Sequence, residues 1–126
     1  MSLYIIFYII GMHWLSDFVF QAEEWALGKS KNWSSLLKHT VTYSMLWLIP
    51  TYFVTKGNPV DVLLFVFITF VLHTITDYFT SRIVSKKFTK GHYGSPIPNF
   101  GAFTIIGIDQ VLHYLQLFLT WQLIFQ

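Results

Sequence analysis

The sequence predicts an all-α fold: an integral membrane four-helix bundle with a polar His/Asp cluster in its cytoplasmic half. Three observations point there. Hydrophobic residues make up 54% of the 126 and charged residues only 11%, where a soluble domain carries about 25% charged residues. A chain this short has too little interior to bury that much apolar surface, so lipid must cover much of it. Four apolar stretches, 3–21, 34–55, 59–81 and 101–125, each come close to the roughly 20 residues that a bilayer-crossing helix needs. The ionisable residues that interrupt these stretches recur at helical spacing.

The first stretch, 3–21, lacks a basic start, is interrupted by His13 and Asp17, and has no small-residue cleavage site after Phe20. It therefore reads as a retained helix rather than a signal peptide. Glu23 and Glu24 just beyond it read as a solvated helix end. A polar connection, 29–35, lets the chain re-enter as the second stretch. Gly57-Asn58-Pro59 then forms a tight turn in which Asn58 caps the third helix, Pro59 takes its first position and Asp61 favours its positive end. The longest loop is expected at 82–100, basic at first and then rich in Gly and Pro around Gly94-Ser95-Pro96-Ile97-Pro98. No linker divides the chain, so residues 1–126 read as one domain.

Positive charge sets the orientation. The first and third connections with their flanks hold Lys29, Lys31, Lys38, Arg82, Lys86, Lys87 and Lys90, and the second holds only Lys56. The positive-inside rule then puts the first and third loops in the cytoplasm and both termini on the other side, the periplasm for a bacterial inner membrane. A net charge of +2 argues against a nucleic-acid partner, which selects a broad basic face. With Cys 0, disulfides, thiolate metal sites and thiol nucleophiles are excluded. Trp14, Trp25, Trp33, Trp47 and Trp121 read as packing or interface residues.

Four of the five histidines and, apart from Asp61 at the start of the third, three of the four aspartates fall within the apolar stretches. They are His13 and Asp17, His39, His73 and Asp77, and Asp109 and His113. In three helices the pair is four residues apart, which puts both side chains on one face. Each pair extends into a polar stripe: Gln21 on the first helix, Ser35, Thr42 and Tyr43 on the second, Thr69, Thr76 and Thr80 on the third, and Gln116 and Thr120 on the fourth. The order is His before Asp on the first and third helices and Asp before His on the fourth, which runs the opposite way. The two reversals cancel, giving a layer of aspartates nearer the cytoplasm with the histidines below it. An Asp at a helix centre costs about 2.5–3.5 kcal/mol on insertion, so a cation, mutual hydrogen bonds or water must compensate, and such residues mark function by default.

The donor set suits zinc, with manganese or iron as alternatives. Four His and three Asp exceed one tetrahedral ion, and suit two ions or one ion with Asp–His partners behind it. A purely structural polar network is the plain alternative, and seven residues exceed what one helix register needs. Haem held by paired histidines fits poorly beside three acids.

The motifs His13-x-x-x-Asp17-Phe18-x-x-Gln21, Lys31, Leu36-Leu37-x-His39, His73-x-x-x-Asp77 and Ile108-Asp109-Gln110-x-x-His113 cover nearly the whole chain. Together they resemble the family of small bacterial and phage membrane proteins known as domain of unknown function 3307. That resemblance implies no activity, but implies that Gln21 and Gln110 belong with the site. More distantly the pattern looks like membrane-embedded metal-dependent hydrolases, which also place His and Asp on several helices.

The function these readings favour is a metallohydrolase acting on a lipid or another amphipathic ester, amide or phosphoester. Asp17, Asp77 and Asp109 are the candidate bases, a cation-activated water is the nucleophile, and Gln21, Gln110, Arg82 and Lys86 are candidate substrate contacts. Lys87 and Lys90 share the basic stretch, for which membrane anchoring is the simpler role. His92 reads as a solvated loop residue. Transport of a metal ion or protons is the second reading, and would require a homo-oligomer to make a pore. A non-catalytic interaction protein with a structural polar network is the third.

Overall fold

The computed structural model describes residues 1–94 and 100–126. Among the described residues it is helical throughout, with no strand. The Gly- and Pro-rich turn expected at 94–98 lies, beyond Gly94, outside them.

Helix α1 (Leu3–Trp14) starts under a Ser2 cap that accepts from the Ile5 N–H at 3.4 Å. It passes directly into a π-helical turn, Leu15–Val19, closed by the Phe20 N–H on the Leu15 carbonyl at 2.9 Å. Such wide turns insert an extra residue and favour functional positions. This one buries Ser16 and Asp17 side by side. The single helix expected over 3–21 is thus shorter and ends in a distorted turn. The acidic pair Glu23 and Glu24 opens a separate short helix, α2 (Glu23–Gly28), where both charges favour the positive end.

Asn32 caps α3 (Trp33–Met45) by accepting from the Ser35 N–H at 2.8 Å. The continuous helix expected over 34–55 is broken at Leu46 and Trp47 before α4 (Leu48–Thr55). Pro50 explains the break: it has no N–H for the Leu46 carbonyl, and its ring crowds that same carbonyl. The Trp47 N–H turns instead to Ser44 at 3.2 Å.

Helix α5 (Pro59–Thr89) begins as expected, with Asn58 accepting from the Val60 N–H at 3.0 Å and Pro59 in the first turn. It does not stop at Ser81. It runs for 31 residues, about 46 Å at the helical rise, so the first part of the expected loop is helix. Nothing between Arg82 and Thr89 breaks a helix, and Lys86 and Lys87 suit its negative end. Gly91, at φ +69°, supplies the left-handed residue that ends it. The Gly91 N–H reaches the Phe88 carbonyl at 3.0 Å and the His92 N–H reaches Lys87 at 2.9 Å, the double bond of a Schellman cap. Helix α6 (Ala102–Phe125) follows. Its first N–H groups, on Ala102 and Phe103, donate to the His92 and Tyr93 carbonyls at 2.8 and 2.7 Å.

Helix α5 packs along α6 and α3, α6 also meets α1, and α2 lies against α3. An apolar core sits towards one end: Ile9, Tyr43, Trp47, Phe65, Val66, Leu117 and Trp121. Around it, large apolar side chains such as Tyr4, Phe7, Ile49, Phe53, Leu119 and Leu123 face outward. Two helices, α5 and α6, are each long and apolar enough to cross a membrane, and the stretch Leu3–Val19 is apolar but shorter.

Candidate metal centre

His13 comes from α1, Asp17 from the π-helical turn, His39 from α3, His73 and Asp77 from α5, and Asp109 and His113 from α6. All seven are buried. Two sets of their atoms are close enough to hold a metal ion: Asp17, His39, His73 and Asp77, and then Asp77, Asp109 and His113.

In the first set four atoms converge. His39 Nε2 lies 3.1 Å from Asp17 Oδ1, 3.0 Å from Asp77 Oδ2 and 3.2 Å from His73 Nε2. His73 Nε2 lies 3.6 Å from Asp17 Oδ1 and 3.5 Å from Asp77 Oδ2. A tetrahedral ion bound at about 2.0–2.1 Å separates its ligand atoms by about 3.3–3.4 Å, and the five separations bracket that value. Hydrogen bonding alone satisfies the cluster poorly. A neutral imidazole carries one proton, so His39 Nε2 serves at most one of the three acceptors around it. Asp17 Oδ1 lies off the line a hydrogen bond requires and has no hydrogen-bond partner among the described residues.

The second set shares Asp77. His113 Nε2 stands 3.2 Å from Asp77 Oδ1 and 3.3 Å from Asp109 Oδ1. Asp109 is held from behind: the Thr80 hydroxyl donates to Oδ1 at 2.5 Å and the Gln110 amide to Oδ2 at 3.1 Å. Such support behind a ligand orients it and tunes its basicity. The rings stack as a column, Tyr43 on His73 at 3.8 Å and His73 on His113 at 4.1 Å between centroids. A void of about 10 Å³, lined by Tyr43, Thr69, His73 and His113 among others, lies beside the column and has room for one water.

His13 is brought to the cluster but not into either set. Its Nδ1 meets the Tyr43 hydroxyl and its Nε2 the Gln110 Oε1, both at 2.8 Å. With the Gln110 amide nitrogen turned to the carboxylates, Oε1 accepts, so His13 carries its proton on Nε2 and Tyr43 donates to Nδ1. Both nitrogens are therefore engaged, and His13 stands behind the two sets rather than within them.

Among the substrate candidates, Gln110 ties His13 to Asp109 and Gln21 lines a cleft beside the cluster. Arg82 and Lys86 do not line it. Arg82 folds back on its own helix, donating to the Tyr78 carbonyl at 2.8 Å and lying 3.7 Å over the Tyr78 ring. Lys86 and Lys31 are exposed, as is His92. The cleft has a volume of about 210 Å³, and its polar lining includes Asp17, Gln21, Lys29, Ser81, Asp109 and Gln110, beside the apolar Phe18, Ala26, Val84 and Ile106.

Sequence reasoning missed Lys29, which it counted only as a topology charge. Its ammonium donates to Asp77 Oδ2 at 2.9 Å, with the side chain 19% exposed. Burial works to lower its pKa, but Asp77 and Asp17 outweigh that and hold it above the ordinary lysine value. The sequence signal is Gly28: a Cβ there would collide with the Ser35 side chain, so only Gly lets α2 end against α3 and turn Lys29 inward.

The family described as "Protein of unknown function (DUF3307)" matches residues 5–126. No curated protein and no solved structure matches the chain.

Proposed function

The chain belongs to the DUF3307 family, and we propose that it is an integral membrane protein whose buried His/Asp cluster binds a divalent metal ion for hydrolysis of an amphipathic ester or phosphoester. The observation that carries the metal reading is the convergence of Asp17 Oδ1, His39 Nε2, His73 Nε2 and Asp77 Oδ2 at 3.0–3.6 Å, which suits a cation better than shared protons. Charge supports it. With the imidazoles neutral, as metal ligation requires, three aspartates against the Lys29 ammonium leave two buried negative charges, which one divalent ion would cancel. Nitrogen and oxygen donors favour zinc, with manganese or iron as alternatives.

Four crossings are supported by α5 and α6 and the shorter apolar stretch Leu3–Val19, and by the apolar side chains facing outward. The basic bias puts Lys29, Lys31 and Lys38, and Arg82 to Lys90, on the cytoplasmic side of a bacterial inner membrane, with both termini in the periplasm. The cleft then opens in the cytoplasmic half, where a lipid headgroup and its ester bonds lie. Its mixed lining suits an amphipathic substrate.

An ion with a coordination position open to the cleft would polarise water and the bond to be broken. Asp109, on the cleft wall, takes the proton through Oδ2 as water adds to the carbonyl carbon or phosphorus. The C–O or P–O bond breaks, and the departing alcohol receives that proton, leaving acid and alcohol as products. Gln21 and Gln110 position the substrate. Transport is disfavoured by the packed aromatic end, where Phe65 lies edge-on to both Trp47 and Trp121.

The test is metal content. Purified in mild detergent without an affinity metal column, the chain is expected to hold at least one equivalent of transition metal by elemental mass spectrometry. An Asp77→Asn, His73→Ala double variant should lose it. Folded wild-type protein that stays metal-free after incubation with zinc and with manganese would sink the metal reading and the hydrolase with it.

A further inference from the structure

The two sets of ligand atoms differ in a way that assigns them different roles. The first offers four protein donors, so a tetrahedral ion there has its positions filled, as in a closed site. The second offers three: Asp77 Oδ1, Asp109 Oδ1 and His113 Nε2. A site with three protein ligands keeps a position for water or substrate. Asp77 belongs to both, with Oδ2 turned to the first set and Oδ1 to the second. The second set also has an outlet. Asp109 lies on the wall of the 210 Å³ cleft, beside Ser81, a buried residue whose hydroxyl has no hydrogen-bond partner among the described residues. Gln21 Oε1, also without a partner there, lines the same cleft.

We infer that the centre binds two divalent ions bridged by Asp77, an anchoring ion held by Asp17, His39, His73 and Asp77, and a reactive ion on Asp77, Asp109 and His113 whose open side faces the cleft. This rests on the metal reading above. The geometry repeats that of the first set, since the 3.2 and 3.3 Å separations around His113 Nε2 match the edges of a site bound at about 2.0–2.1 Å. A carboxylate giving one oxygen to each of two ions would bring them close, and pairs about 3.5–4 Å apart act on both the attacking and the leaving oxygen. The second ion adds positive charge to a centre the first has neutralised, and the cleft admits the anions and water that balance it.

The test is manganese titration of the full chain in detergent, read by equilibrium binding and by electron paramagnetic resonance. Wild type is expected to bind two equivalents and to show the exchange-coupled signal of a close pair. Asp109→Asn should bind one equivalent, with an uncoupled signal, and His113→Gln should do the same. The coupled signal in wild type needs no variant, so a variant that fails to fold does not leave the question open. One uncoupled equivalent in wild type would overturn the second ion and leave the first standing. No bound manganese or zinc would overturn both. Two coupled equivalents that survive both substitutions would overturn the ligand assignment.

Discussion

The same four helices build two ends of opposite character. Within four to eight residues along each helix, His13 gives way to Ile9, His39 to Tyr43 and Trp47, His73 to Phe65 and Val66, and His113 to Leu117 and Trp121. The aromatic end closes on itself: Phe65 is fully buried, with ring centroids 5.6 Å from Trp47 and 5.5 Å from Trp121 at steep interplanar angles, the edge-to-face arrangement aromatic rings prefer. The His/Asp end does not close. Its donors face one another at distances that one proton per imidazole cannot satisfy. Folding is secured at one end, and the other offers the donor set of a metal site.

The sharpest break of that division is Phe65→Ala. Truncating a fully buried Phe costs about 3–5 kcal/mol through lost transfer energy and the remaining cavity. Thermal or denaturant unfolding in detergent should show that loss, while metal stoichiometry below the transition stays at the wild-type value. Metal lost in step with stability would mean that the two ends are not separate in function.

Much of this division was legible in the sequence. The all-helical class followed from apolar stretches at helical length, six of the cluster residues from spacing of four within those stretches, and His39 from its place inside one of them. Hydropathy was a poor guide to helix ends, because it reports where lipid suits the side chains and not where the backbone bonds stop. It therefore missed the continuation of α5 through Arg82 and Lys87, where polar side chains still favour helix. It also masked Pro50, whose missing N–H was readable and breaks α3 from α4. Helical periodicity put His13 on the polar face, but not which partner each ring nitrogen meets, and that separates a residue behind the two sets from one within them. Lys29 had one signal, Gly28, whose meaning depends on how α2 docks on α3.

Lys29 tests the charge side of the comparison. Removing one partner of a buried ion pair costs about 3–5 kcal/mol, and partial exposure of Lys29 puts the expectation near the lower limit, about 3 kcal/mol. Lys29→Met should lower the melting temperature of the metal-free chain by more than that of the metal-loaded chain, since the bound ion takes over part of the compensation. The rise on adding zinc or manganese should therefore exceed that of wild type. An equal fall in both states would show that Lys29 matters by packing and not by its charge on Asp77.

The smallest expected effect lies outside both ends, at the start of α5. Asn58 accepts from the Val60 N–H at 3.0 Å and is exposed, so it touches neither the aromatic packing nor the cluster. Asn58→Ala removes the cap and should cost about 1 kcal/mol of unfolding free energy. Asn58→Asp keeps an acceptor and adds a charge that suits the helix start, so it should hold wild-type stability. Neither variant should alter metal stoichiometry. If Asn58→Ala did lower it, the register of α5 would be set from its first turn, carrying His73 and Asp77 with it. The two ends would then be joined through that one long helix and not divided between them.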